Sequence, residues 1–154
     1  MQKILFVCHG NICRSPMAQY LLAHLAAERG LACRTQSAAT SREEIGTPIY
    51  PPARRKLREK GIPFGDHRAV QMTRQDYGAY DLLLAMDQAN VRNMTAIAGG
   101  DPAGKIHRLL DFTDHPRDIA DPWYTGDFEA TYDDLLQGCQ ALLDWLEGQD
   151  PPCV

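Results

Sequence analysis

The chain has 154 residues, 44% hydrophobic and 23% charged. That is room for one domain with a real core and too little for two ordinary ones, so a single domain over residues 1–154 is expected. A net charge of −4 sets aside a general nucleic-acid binder, "ILFV" is far shorter than a signal-peptide core, and no apolar run approaches a membrane span. A cytoplasmic enzyme with neither nucleic-acid nor membrane partners is the expectation. The charge is unevenly placed: residues 1–110 carry 15 Lys and Arg against nine Asp and Glu, residues 111–150 one against 11. Either an acidic helix packs beside a basic half, or the basic half faces an anionic substrate; both readings stay open. Five cysteines, an odd number without an export signal, do not form a disulfide framework. Cys33 and Cys139 read as core thiols, and Cys153 is expected in a frayed tail.

Strands and helices alternate along the chain. "KILFVC" is a first strand. Ser15, a good N-cap, and Pro16, a good first residue, open a helix that carries Met17, Leu21, Leu22 and Leu25 at helical spacing and stops at Gly30. "CRTQSA" is a second strand and "SREEIGTP" a loop. "IYPPARRKLREK" reads as a helix after its prolines, closed by Gly61; its basic run reads as a solvated face. "YDLLLAM" is a third strand, apolar enough to be buried on both sides. Asp87 caps the helix "QANVRNMTAIA", which stops at Gly99-Gly100. "KIHRLL" is a fourth strand. A polar loop of 17 residues, "DFTDHPRDIADPWYTGD", follows, and such length points to function. A last helix runs from about Phe128 to Leu146 with one apolar stripe. Strands separated by helices imply βαβ units, hence an α/β fold with a parallel sheet and helices on both faces. Ligands of such sheets bind at the carboxyl ends of the strands, where the stretch after the first strand lies.

That stretch is "CHGNICRSP", residues 8–16. Its backbone N–H groups can curl into a nest, and the following helix adds its positive end, so the loop His9, Gly10, Asn11, Ile12, Cys13, Arg14, Ser15 suits a tetrahedral anion. Gly10 and Asn11 tolerate left-handed backbone. Arg14 offers a fork to two phosphate oxygens. Cys8 then points at the phosphorus, and the same positive field favours its thiolate, to which Ser15 can donate. The chemistry inferred is nucleophilic attack on a phosphate ester through a cysteinyl-phosphate intermediate. One glycine where three are needed excludes a dinucleotide fingerprint, and Cys8 and Cys13 without a second pair argue against zinc; no metal and no cofactor is expected.

The leaving oxygen needs a proton. The 17-residue loop offers Asp111, Asp114, Asp118, Asp121 and His115. Asp121 is favoured because a Pro follows it and two aromatics, Trp123 and Tyr124, lie close enough to shield it from water and to flank an aromatic leaving group. The alternative is that the two rings merely pack the loop.

Together "CHGNICRSPMA", "SAATS", Asp87 with Asn90, and "DPWY" resemble the low-molecular-weight protein tyrosine phosphatase family along essentially the whole chain. The resemblance implies a flavodoxin-like three-layer sandwich with a four-stranded parallel sheet, Cys8 as nucleophile, Arg14 as phosphate binder and Asp121 as acid and then base. It implies that Asn11, Ser37 and His67 hold the loop in shape, with Ser15 beside the thiolate, and that Cys13 captures an oxidised Cys8. Phosphotyrosine proteins or peptides are the implied partners, inorganic phosphate and other tetrahedral oxyanions the implied inhibitors, and a monomer is expected. His9 stands where the family often has Leu, Arg42-Glu43-Glu44 where many members have an aromatic, and Trp123 where Tyr is common. Two relatives share the loop: protein-arginine phosphatases, which carry Thr where this chain has Ile12, and thioredoxin-linked arsenate reductases, which need redox cysteines absent between Cys33 and Cys139. Ile12 is expected to line the cleft with Trp123 and Tyr124, a wall suited to a phenyl ring. A thiol redox protein or a phosphate-binding module is the reading from another class.

Overall fold

The computed structural model describes residues 1–149; Cys153 and its tail lie outside them. A parallel sheet of four strands, β1 (Gln2–Cys8), β2 (Cys33–Ala39), β3 (Leu82–Ala85) and β4 (Ile106–Arg108), is ordered β2-β1-β3-β4. Alternate side chains of β1 face opposite layers. Ile4, Phe6 and Cys8 meet α1 (Arg14–Glu28), α2 (Pro51–Glu59) and α6 (Phe128–Gln149); Leu5 and Val7 meet α4 (Gln88–Ala98) through Met94. The sheet is thus covered on both faces, as its near-continuous apolar strands demand, and the fold is the expected flavodoxin-like sandwich. The chain passes from β1 to β2 on one side and to β3 on the other. The crevice at the carboxyl ends of β1 and β3 is therefore the place for a ligand, and Cys8 is the last residue of β1.

Several elements end where local chemistry dictates. Asp87 caps α4: its carboxylate accepts from Asn90 N at 2.8 Å, and Gly99 in left-handed conformation (φ 80°) closes it. α2 starts on its two prolines instead of after them, because the first turn has no use for their missing N–H groups. α1 begins at Arg14, not after a Ser15 cap, and its first six residues are all buried; the hydroxyl that was expected to cap it serves another atom.

"KIHRLL" is strand only as far as Arg108. Asp111 accepts from Arg108 N at 2.9 Å and turns Leu109–Phe112 into a 3₁₀ helix, which buries Leu109 and Leu110 against α6. The polar loop after it is likewise less irregular than its composition: it holds the short helix α5 (Pro122–Thr125), capped by Asp121 and closed by Gly126 at φ 71°. A further short helix, α3 (Asp76–Ala79), precedes β3. Cys139 is fully buried, as expected of a core thiol, and burial pushes its thiol well above the ordinary range; Cys33 is only half buried. Among the described residues no helix is long and apolar enough to cross a membrane.

Candidate active site

Residues 8–14 wrap one end of an open cleft, and Glu43, Glu44, Asp121, Trp123 and Tyr124 complete its lining. The turn is made by Asn11, whose φ of 60° is the one left-handed value at a non-glycine position among the described residues. Its side chain explains how that backbone is held. Asn11 Oδ1 accepts from Val70 N at 3.1 Å and pairs with His67 Nε2 at 2.9 Å, while Asn11 Nδ2 donates to Ser15 Oγ at 2.8 Å. An amide oxygen only accepts, so His67 Nε2 carries the proton. Ser15 Oγ, having accepted from Asn11, turns its own hydrogen to Cys8 Sγ, 2.9 Å away. Asn11 N–H also points at that sulfur, at 3.3 Å. Cys8 Sγ therefore sits under two hydrogen-bond donors and at the mouth of α1, against the positive end of its dipole. The ring of His67 is half buried, which lowers its pKa below the ordinary 6.5, though the bond to Asn11 opposes this.

Arg14 is almost wholly buried, and its guanidinium is oriented from behind. Nη1 donates to Asp87 Oδ2 and to the Ile119 carbonyl, both at 2.8 Å; Nη2 reaches Asp121 Oδ2 at 3.4 Å. Burial works against its charge, but the negative groups Cys8, Asp87 and Asp121 raise its pKa above the ordinary value. Ile119 N–H in turn donates to Met86 O at 2.9 Å and Asp118 accepts from Gln88 N at 3.0 Å. These bonds pin the loop carrying Asp121 to the end of β3. Of the loop's acids, Asp111 and Asp118 bind Arg108 on the surface, Asp114 and His115 are exposed, and Asp121 alone lines the cleft.

Some expectations need correction. Ser37 Oγ donates to Gln19 Oε1 at 2.5 Å, so its hydroxyl ties β2 to α1 and not the loop. Trp123 and Tyr124 do not enclose Asp121: they are 52% and 82% exposed, and the carboxylate is instead fixed by Trp123 N–H at 3.1 Å. Trp123 leans on Tyr50, ring centroids 4.8 Å apart, and Tyr50 N–H donates to Ile12 O at 2.9 Å. Ile12 is buried beside Cys13, Ala69, Tyr50 and Phe128 and is among the residues that line the cleft. His9 Nε2 lies 3.1 Å from Glu43 Oε2 at the rim. Asp87 and Tyr50 are site residues to which sequence reasoning gave no role in the site; Asp87 was visible as the cap of α4 and, with Asn90, as part of the family resemblance.

The sequence model of one family, described as low molecular weight phosphotyrosine protein phosphatase, matches residues 3–150. The chain belongs to that family. It is accordingly an enzyme, a phosphatase whose cysteine-centred site fits the family chemistry. The low molecular weight protein-tyrosine-phosphatase YfkJ of Bacillus subtilis is 39% identical over 147 residues, 93% of this chain and 94% of that protein. The crystal structure of YfkJ superposes with a TM-score of 0.94, covering 97% of both chains. PtpA of Staphylococcus aureus, also a low molecular weight protein-tyrosine-phosphatase, is 33% identical, covering 95% of this chain and 94% of its own. A Drosophila arginine phosphatase shares the fold at TM-score 0.86 and 28% identity, over 97% of this chain and 100% of that one.

Proposed function

We propose that the chain acts as one catalytic domain that hydrolyses phosphotyrosine in proteins or peptides, and small aryl phosphates, without metal. The observation that carries this reading is the convergence of Cys8, Arg14 and Asp121 on one cleft. The phosphate sits in the loop's N–H nest with two oxygens on the Arg14 fork. Cys8 Sγ attacks phosphorus as the bond to the phenolic oxygen breaks, and Asp121, protonated, gives its proton to that oxygen. In the second step Asp121, now a carboxylate, takes a proton from water. That water attacks phosphorus, the S–P bond breaks, and Cys8 leaves as thiolate with inorganic phosphate. The His67–Asn11–Ser15 chain holds the loop and the sulfur. Inorganic phosphate and other tetrahedral oxyanions compete for the same nest. Cys13 serves as redox partner of Cys8. The enzyme works as a monomer in the cytoplasm, away from nucleic acid and membrane.

The leaving group separates this reading from the arginine phosphatases. Ile12 and Trp123 offer a phenyl ring apolar surface and give a guanidinium no acceptor. Burying unpaired N–H groups there costs roughly 1–3 kcal/mol. The decisive experiment compares Asp121→Asn with the parent on p-nitrophenyl phosphate and on phosphotyrosine. The poorer leaving group should suffer more, while Cys8→Ser abolishes turnover yet still binds phosphate, and chelator leaves the parent active. Equal slowing of both substrates would remove Asp121 from the acid role. A parent specificity constant favouring phosphoarginine would move the assignment to that class.

A further inference from the structure

Part of the lining of the cleft is negatively charged. Glu43 and Glu44 line it, on the same opening as Cys8 and Arg14. Neither points there by accident of a loose loop. Glu44 is half buried, with Oε2 accepting from Thr47 Oγ1 at 3.0 Å, and its Cγ lies 3.6 Å from where a Cβ on Gly10 would stand. Its charge is felt within the phosphate loop, where it helps raise the pKa of Cys13. Glu43 is exposed and reaches back to His9 at 3.1 Å.

A cleft that takes a phosphate dianion has no use for carboxylates at its mouth. Arg14, the cation in its depth, is already shared between Asp87 and Asp121. Two further negative charges at the rim oppose an incoming anion unless the substrate brings cations of its own. Repulsion of this kind selects among partners by penalising the wrong ones. Resting on the phosphotyrosine reading above, we infer that Glu43 and Glu44 are specificity-determining residues: they favour phosphotyrosine flanked by Lys or Arg and reject acidic flanks. The phosphate goes down to Cys8, the ring lies between Ile12 and Trp123, and a neighbouring ammonium or guanidinium meets the two carboxylates as the peptide leaves the cleft.

The test uses the full chain and three phosphotyrosine peptides that differ only in having Lys, Ala or Glu on both sides of the phosphotyrosine. Specificity constants should fall in that order, by about fivefold at each step at low ionic strength, as expected of exposed charge pairs. The spread should shrink at high salt. Glu43→Lys with Glu44→Lys should reverse the order. Because Glu44 braces its loop through Thr47, Glu43→Lys alone, at an exposed position, gives a second reading and should narrow the spread. Equal constants for the three peptides, or an order untouched by charge reversal, would overturn the inference and leave the phosphotyrosine assignment standing. Failure to hydrolyse any of the three while phosphoarginine is turned over would remove that assignment, and the inference with it.

Discussion

Arg14 Nη1 and Asp87 Oδ2 lie 2.8 Å apart, although 73 residues separate them. The same aspartate caps α4 through its other oxygen, so one side chain both starts a helix and aims the phosphate-binding fork. Asp87→Ala removes both functions. It should cost about 1 kcal/mol of stability for the lost cap and lower kcat/KM by about tenfold or more, because the fork loses its fixed orientation. Asp87→Asn has one oxygen for two acceptor roles: turned to Asn90 N–H it keeps the cap and leaves its NH2 group facing Arg14. Its urea midpoint should stay near the parent while its kcat/KM falls as in the Ala variant. Parent-like kinetics in Asp87→Asn would show that the contact does not orient Arg14.

The protonation state of His67 links the loop to pH. Its Nε2–H must face Asn11 Oδ1, and burial sets its folded-state pKa below the ordinary 6.5. A group with a depressed folded pKa contributes stability that is complete above the unfolded value and is lost as pH falls through the folded one. Folding stability should therefore decline on acidification below the ordinary histidine range, in part through this ring. His67→Gln, which keeps an N–H donor for Asn11 but cannot titrate, should flatten that part of the profile. Urea midpoints of parent and variant across the acidic range measure it, and parallel curves would refute the link.

What the sequence made legible was local. Asp87 before Gln88, Asn90 three residues on and Gly99 at the end mark α4 by interactions within one turn of chain, and the helix has those bounds. Cys8 and Arg14 were readable because loop and helix are adjacent in sequence. Ser15 misled for the same reason: a Ser before a Pro is a local cap signal, but the sulfur of Cys8 claimed the hydroxyl. "KIHRLL" holds no Gly or Pro to stop a strand; the Asp111 that accepts from Arg108 N and turns Leu109 out of the sheet lies just beyond it, and the α6 surface that receives Leu109 is distant in sequence. The contacts of Arg14 with Asp87 and Ile119 span 73 and 105 residues, so no local pattern announces them.

The meeting of α6 with the 3₁₀ turn makes Gly138 critical. A Cβ there would stand 2.6 Å from Leu109 Cγ and 2.9 Å from its Cδ2, and Leu109 is itself fully buried. Helix propensity favours Ala over Gly by about 1 kcal/mol, but overpacking costs about 1–3 kcal/mol. Gly138→Ala should destabilise by up to about 2 kcal/mol on balance. Gly148→Ala in the same helix, where a Cβ meets nothing within 4 Å, should not. Chemical denaturation of the pair decides it, and a stabilised Gly138→Ala would mean that Leu109 moves aside without cost.

Cys13 completes the loop's chemistry. It is buried beside Ile12 and Ala69. Burial first, then the negative charges of Cys8 and Asp121, push its thiol pKa far up. Cys13 thus stays protonated and does not compete for an oxidant, leaving Cys8 to react. Under the proposed redox pairing, peroxide should convert the Cys8 thiolate to sulfenic acid and be itself reduced to hydroxide, and the Cys13 thiol should then displace that oxygen as water, closing a Cys8–Cys13 disulfide that a thiol reductant reopens. Forming the sulfenic acid removes the charge on Cys8, one of the causes that hold Cys13 protonated. Cys13→Ser should be inactivated by peroxide as fast as the parent, and bound phosphate should protect both. Recovery with dithiothreitol should fall by about threefold or more, because uncaptured sulfenic acid goes on to sulfinic acid. Equal recovery in parent and variant would show that Cys13 only packs beneath the loop.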